Sequence, residues 1–159
     1  MKPILINNLE FAQKNLEISG DLNPKDCVRL LESISQTDLN FASIRYTLRG
    51  YAKKRHLPSL LVQVESKLPV LCQRCLETIH IHLNLEFEYL ISENNPSEME
   101  EGDEIDWLEL SQHMNLTELI EDELLIAMPI APLHEANCIK ATMQSGEKPN
   151  PFAVLKGKF

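Results

Sequence analysis

Apolar and polar residues alternate through the middle of this chain. The run Leu60-Leu61-Val62-Gln63-Val64-Glu65-Ser66-Lys67-Leu68 and the run Thr78-Ile79-His80-Ile81-His82-Leu83-Asn84-Leu85-Glu86-Phe87-Glu88-Tyr89 both repeat with period two, the mark of half-buried strands. Residues 41–52 have the same β-type composition, residues 16–20 form a shorter alternating segment, and the opening Met1 to Asn7 reads as a first strand. Helical spacing occurs twice. Asn23-Pro24 offers a capping side chain and a first-turn proline ahead of Cys27, Val28, Leu31 and Ile34. Asn115, with Glu118 three residues on, resembles a capping box for a helix through Leu116, Leu119, Ile120, Leu124, Ala127 and Met128, which Pro129 stops. Residues 105–110 add a last strand with Trp107 half buried. The pattern predicts an α+β domain over residues 1–138: a mostly antiparallel β-sheet, a meander around the hairpin at residues 72–75, with two or so packed helices. Residues 93–104 are acidic without hydrophobic period and read as a mobile loop. Residues 139–159 read as a linker and an extended basic and apolar tail.

Between the two longest alternating runs stands Cys72-Gln73-Arg74-Cys75. A dithiol redox motif needs its first cysteine at a helix N-terminus, and strands flank this one. A metal knuckle suits a hairpin better. Two cysteines supply half of a tetrahedral zinc site, and His134 and Cys138, delivered by the extended run Pro129-Ile130-Ala131-Pro132-Leu133, are the candidates for the other half. Structural Zn2+ on Cys72, Cys75, His134 and Cys138 is one reading; reduced thiols beside a helix-end histidine, with no metal, is the other. Cys27 falls inside an apolar stripe and reads as core. The sequence shows neither a charged-then-apolar leader nor an apolar run of bilayer length, so a soluble cytoplasmic protein with reduced thiols and no membrane partner is expected.

The net charge of −9 is unevenly distributed. Residues 1–74 carry +4, residues 75–139 carry −16 with no Lys or Arg, and residues 140–159 carry +3. Opposite sides of such a molecule prefer different partners. Arg45, Arg49, Lys53, Lys54 and Arg55, interleaved with Tyr46 and Tyr51, have the composition of a surface that follows RNA phosphates and stacks a base. Arg74, Lys156 and Lys158 extend that candidate set. The competing reading is edge protection, since exposed strands and hairpin tips are often rich in Lys and Arg. Glu118, Glu121, Asp122 and Glu123 read as a solvated helix face and not as acid–base machinery.

Four features stand together in order: Cys72-Gln73-Arg74-Cys75-Leu76 between strands, the acidic helix ending at Met128-Pro129, the pair His134 and Cys138, and the ending Lys148-Pro149-Asn150-Pro151-Phe152-Ala153-Val154-Leu155. Together they resemble the bacterial YceD family, the large ribosomal RNA subunit accumulation proteins. The resemblance covers most of the chain and is loose over residues 1–50 and the acidic loop. It implies a cytoplasmic role in synthesis, processing or stability of large-subunit ribosomal RNA, and no known enzyme activity. The expected function is a non-enzymatic ribosome-biogenesis factor that binds large-subunit rRNA or a pre-ribosomal particle, without a small-molecule substrate. The alternative is an acidic module that shields a basic ribosomal protein without touching RNA. An enzyme is the weakest class, because four protein ligands on a metal leave no open position for water.

Overall fold

The computed structural model describes residues 3–52, 57–92, 106–136, 138 and 151–157. A short strand β1 (Leu5–Ile6) is followed by α1 (Asn8–Gln13), β2 (Glu17–Leu22), α2 (Val28–Ser33), β3 (Ser43–Ala52), β4 (Pro58–Leu71), β5 (Thr78–Ser92), β6 (Asp106–Glu109), β7 (Met114–Asn115) and α3 (Leu116–Ala127). Strands β2 to β6 form one sheet in chain order, and β1 pairs with β7 in a separate ribbon. The expected α+β architecture is present: β2 to β5 are an antiparallel meander. One strand departs from it, for β6 lies parallel to the end of β5.

The two-residue period decides which side of the sheet is covered. Ile44, Leu48, Val62, Val64, Leu68 and Val70 all point to one face, and each is at most 2% exposed. Helix α1 packs there on β3 and β4, α3 on β5, and α2 against α3. The opposite face carries exposed Arg45, Arg49, Gln63, Glu65, Asn84 and Glu86. It holds a depression of about 560 Å3 lined by residues of β3, β4 and β5, among them Arg45, Gln63, Glu65 and Glu86.

Helix α3 forms as its sequence demands. The Asn115 side chain accepts the N–H groups of Thr117 and Glu118, Leu116, Ile120 and Leu124 are fully buried, and Pro129 follows the C-cap Met128. The predicted helix at Asn23-Pro24 starts differently. Residues Pro24–Asp26 make a 3-10 turn, and α-helix begins only at Val28. Helix α1 lies where no element was expected. Asn7 caps it, and the fully buried Asn8 fixes it by donating to the Glu109 carbonyl and accepting from the Ser111 N–H. A 3-10 turn at Ala153–Leu155 interrupts the expected extended tail. The acidic segment 93–104 lies outside the described residues. No helix among the described residues is long and apolar enough to cross a membrane.

Candidate metal centre

Strands β4 and β5 run in one unbroken register from Ser59↔Leu90 to Leu71↔Thr78, so the loop between them is a tight knuckle at one end of the sheet. Its backbone is closed by the Cys72 N–H on the Glu77 carbonyl and the Leu76 N–H on the Cys72 carbonyl, both at 2.9 Å. Leu76 takes a left-handed conformation, φ 62°, to let the chain turn back. Beyond α3, the segment through Pro132 returns to this knuckle. The Gln73 N–H donates to the Pro132 carbonyl at 2.9 Å, and the Arg74 guanidinium donates to the carbonyls of His134 and Ala136 at 2.8 and 3.5 Å.

These contacts bring together all four candidate ligands. The donor atoms of Cys72, Cys75, His134 and Cys138 lie within 4.8 Å of one another. Cys72 Sγ is 3.6 Å from Cys138 Sγ, and Cys75 Sγ is 3.4 Å from His134 Nδ1. The cysteines are free thiols. In a tetrahedral zinc site, bonds of ~2.3 Å to sulfur and ~2.0 Å to nitrogen require edges of roughly 3.8 Å between sulfurs and roughly 3.5 Å from sulfur to nitrogen. The Cys72–Cys138 and Cys75–His134 edges match that tetrahedron within a few tenths of an ångström.

The electrostatics also fit a cation. Burial opposes charge on Cys72, but the main-chain N–H groups of Cys75, His134 and Arg74 and the His134 side chain outweigh it and bring the thiol down to about 5. Burial, with the neighbouring Cys72 and Cys75, pushes Cys138 up to about 11. By itself the cluster thus holds charge on one sulfur and resists it on another. A dication would compensate the remaining thiolates. With three sulfurs and one imidazole nitrogen as donors, the set suits zinc in a closed, structural site.

The residues expected to face RNA are distributed differently. Arg45 and Arg49 project from β3 on the open face, where Arg45 pairs with Asp21 at 3.3 Å and Arg49 with Glu17 at 3.7 Å across the β2–β3 ladder. Arg74 holds the His134 segment against the knuckle. Lys156 is exposed on the tail, whereas Lys53, Lys54, Arg55 and Lys158 lie outside the described residues. The positioning role of Arg74 was not legible in the sequence, since its partners are main-chain carbonyls about sixty residues away and backbone acceptors leave no trace in side-chain type.

No solved structure matches the chain. A protein of Haemophilus influenzae described as large ribosomal RNA subunit accumulation protein YceD is 28% identical over 174 residues, covering 96% of this chain and 93% of that protein. Residues 60–157 match the family described as large ribosomal RNA subunit accumulation protein YceD. The matched stretch is more than half of the chain, begins within β4 and takes in all four clustered ligands, and the chain belongs to the YceD family.

Proposed function

We propose that this protein supports accumulation of the large ribosomal RNA subunit in the cytoplasm, binding a precursor of that subunit without catalysing a reaction. The observation that supports the non-enzymatic reading is the gathered ligand set: three cysteines and one histidine with donor atoms within 4.8 Å of one another would complete a zinc coordination shell and leave no position for a substrate or water. The metal then acts as a clasp, joining the β4–β5 knuckle to the chain beyond α3 so that the two parts present one surface. RNA contact falls to Lys53, Lys54 and Arg55 between β3 and β4, with Lys156 and Lys158 of the tail. Arg45 and Arg49 face carboxylates, which partly offset their charge, and Arg74 is engaged with the His134 carbonyl.

The same compensation favours a second reading, in which a basic ribosomal protein is the direct partner. Between Arg74 and Lys140 there is no Lys or Arg, so β5, β6 and α3 carry a surplus of carboxylates toward a cationic surface, although Glu121 and Asp122 of α3 are paired with Arg29.

Gradient sedimentation of gently lysed cells tests the proposal. The protein is expected with large-subunit precursors, and its deletion is expected to lower large-subunit rRNA relative to small-subunit rRNA. Exclusive recovery in the free fraction, with unchanged rRNA ratio on deletion, overturns it. Nuclease treatment separates the two readings. Loss of co-sedimentation after nuclease, and in a Lys53→Glu/Lys54→Glu/Arg55→Glu variant, supports RNA contact; persistence in both supports the basic protein.

A further inference from the structure

Three of the chain's four cysteines meet at the knuckle, and they are not equivalent. Cys72 is fully buried, whereas Cys75 and Cys138 are partly exposed. Cys72 Sγ lies 3.6 Å from Cys138 Sγ, while Cys75 Sγ makes its 3.4 Å contact with the His134 ring. The fourth, Cys27, is buried in the hydrophobic core and is not part of the cluster.

A disulfide holds its sulfurs about 2.05 Å apart, so Cys72 and Cys138 have to close by about 1.5 Å, a distance that side-chain torsions cover. The main chain already runs side by side there. The Gln73 N–H holds the Pro132 carbonyl at 2.9 Å, and the Arg74 guanidinium holds the His134 carbonyl at 2.8 Å. Pairing Cys72 with Cys75 would give up the contact of Cys75 with the imidazole. Pairing Cys72 with Cys138 leaves that contact in place.

We propose that Cys72 and Cys138 are a reversible oxidation site, converted by a peroxide into a disulfide that ties the knuckle to the chain beyond α3 in place of the metal. The partly exposed Cys138 sulfur attacks one peroxide oxygen, the O–O bond breaks, and the other oxygen leaves as water. Cys72 Sγ then attacks the sulfenic sulfur of Cys138. The S–S bond forms, the S–O bond breaks and a second water leaves. The two sulfurs give up two electrons to the peroxide, and the two thiol protons end in the two waters. Where the sulfurs start as metal ligands, solvent supplies those protons and the cation departs, because Cys75 and His134 alone are half of a tetrahedral site. A dithiol reverses the bridge, so it is transient wherever thiols are kept reduced. Cys27, a buried core thiol, stays inert. The inference rests on the geometry of the cluster and holds whichever partner the protein binds.

Reduced full-length protein, treated with a small molar excess of hydrogen peroxide and digested without reduction, is read by peptide mass spectrometry. The expected product is a single linkage between the peptides of Cys72 and Cys138, with Cys27 and Cys75 recovered as thiols, and dithiothreitol is expected to remove it. A chromogenic zinc indicator is expected to register about one ion released per chain in step with the linkage, and protein stripped of metal is expected to form the same linkage. Cys75→Ser, which keeps both bridging sulfurs, is expected to form it too. The bridge closes a loop of 66 residues, so oxidised protein is expected to melt roughly 10 °C above reduced protein stripped of metal. A Cys72–Cys75 linkage as the main product, oxidation that ends at sulfinic acid without any linkage, or an oxidised melt no higher than that of the stripped protein overturns the proposal.

Discussion

Glu121 is 5% exposed, and its two oxygens do different jobs. Oε1 accepts the Leu30 N–H at 2.9 Å, closing the first turn of α2, and Oε2 accepts from the Arg29 guanidinium at 3.1 Å. Cys27, at the N-cap of α2, has no side-chain hydrogen bond to that turn, so the carboxylate of α3 does the capping from another helix. Glu121→Ala is expected to destabilise the protein by about 2 kcal/mol, because an N–H at a helix start loses its acceptor. Glu121→Gln is expected to lose less, its amide oxygen still reaching Leu30, and urea melts of both variants check the order. The neighbouring Cys27 thiol is raised to about 11 by burial and by the charges of Glu121 and Asp26, against Arg29. Since the folded thiol holds its proton more tightly than the unfolded one, its contribution to stability is complete below about pH 9 and is lost as pH rises through about 11. Cys27→Ala is expected to flatten that part of the stability profile relative to wild type, read by denaturant melts at pH steps over this window. Cys27 was legible as core from its place in an apolar stripe. Glu121 was not: on the helical wheel it stands with the exposed Asp122 and Glu118, and only the arrival of Arg29 and Leu30 from 92 and 91 residues away makes it internal.

Where elements meet, α1 lies hard against β3 at Gly50. A Cβ on Gly50 would come within 2.3 Å of the Phe11 carbonyl oxygen and 2.8 Å of the Ala12 Cα. Both are backbone atoms that no rotamer change can move. Gly20 offers the contrast, since its added Cβ would lie 3.0 Å from the Tyr46 hydroxyl, the far end of a side chain. Gly50→Ala is therefore expected to cost about 2 kcal/mol or more by pushing α1 off the sheet, and Gly20→Ala well under half of that. Thermal melts compare them directly, and equal shifts would contradict the packing argument. The long strands were legible because a period of two survives for many residues in β4 and β5. Helix α1 was not, for six residues give less than two turns of period, and its support comes from Asn8 bonding at Glu109 and Ser111, far along the chain. The parallel placement of β6 was equally hidden, because nothing in four residues states which way they run.

Over the whole molecule, the candidate metal centre is the long-range tie at the knuckle end. Its pairs span 59 residues from Cys75 to His134 and 66 from Cys72 to Cys138. The sequence held all four ligand types, but their meeting depends on the combined length of β4, β5 and α3 and on the main-chain bonds at Gln73 and Arg74. A covalent cross-link closing a loop of that length would stabilise the fold by about 4 kcal/mol through the unfolded state; a metal held by four ligands imposes a comparable constraint. It follows that metal removal should lower the cooperative melt of the whole chain and not merely loosen the knuckle. Reduced, purified protein is expected to contain about one zinc per chain by elemental mass spectrometry, and a strong chelator is expected to lower its melting temperature by roughly 10 °C. Cys75→Ser should reproduce the chelated melt with zinc content well below stoichiometric, and Arg74→Ala should weaken metal retention while leaving every ligand in place, because only the positioning of the His134 segment is lost. Protein without metal, whose melt ignores the chelator, would return the four side chains to reduced thiols and a histidine, with the two chain segments joined by hydrogen bonds such as those of the Gln73 N–H and the Arg74 guanidinium.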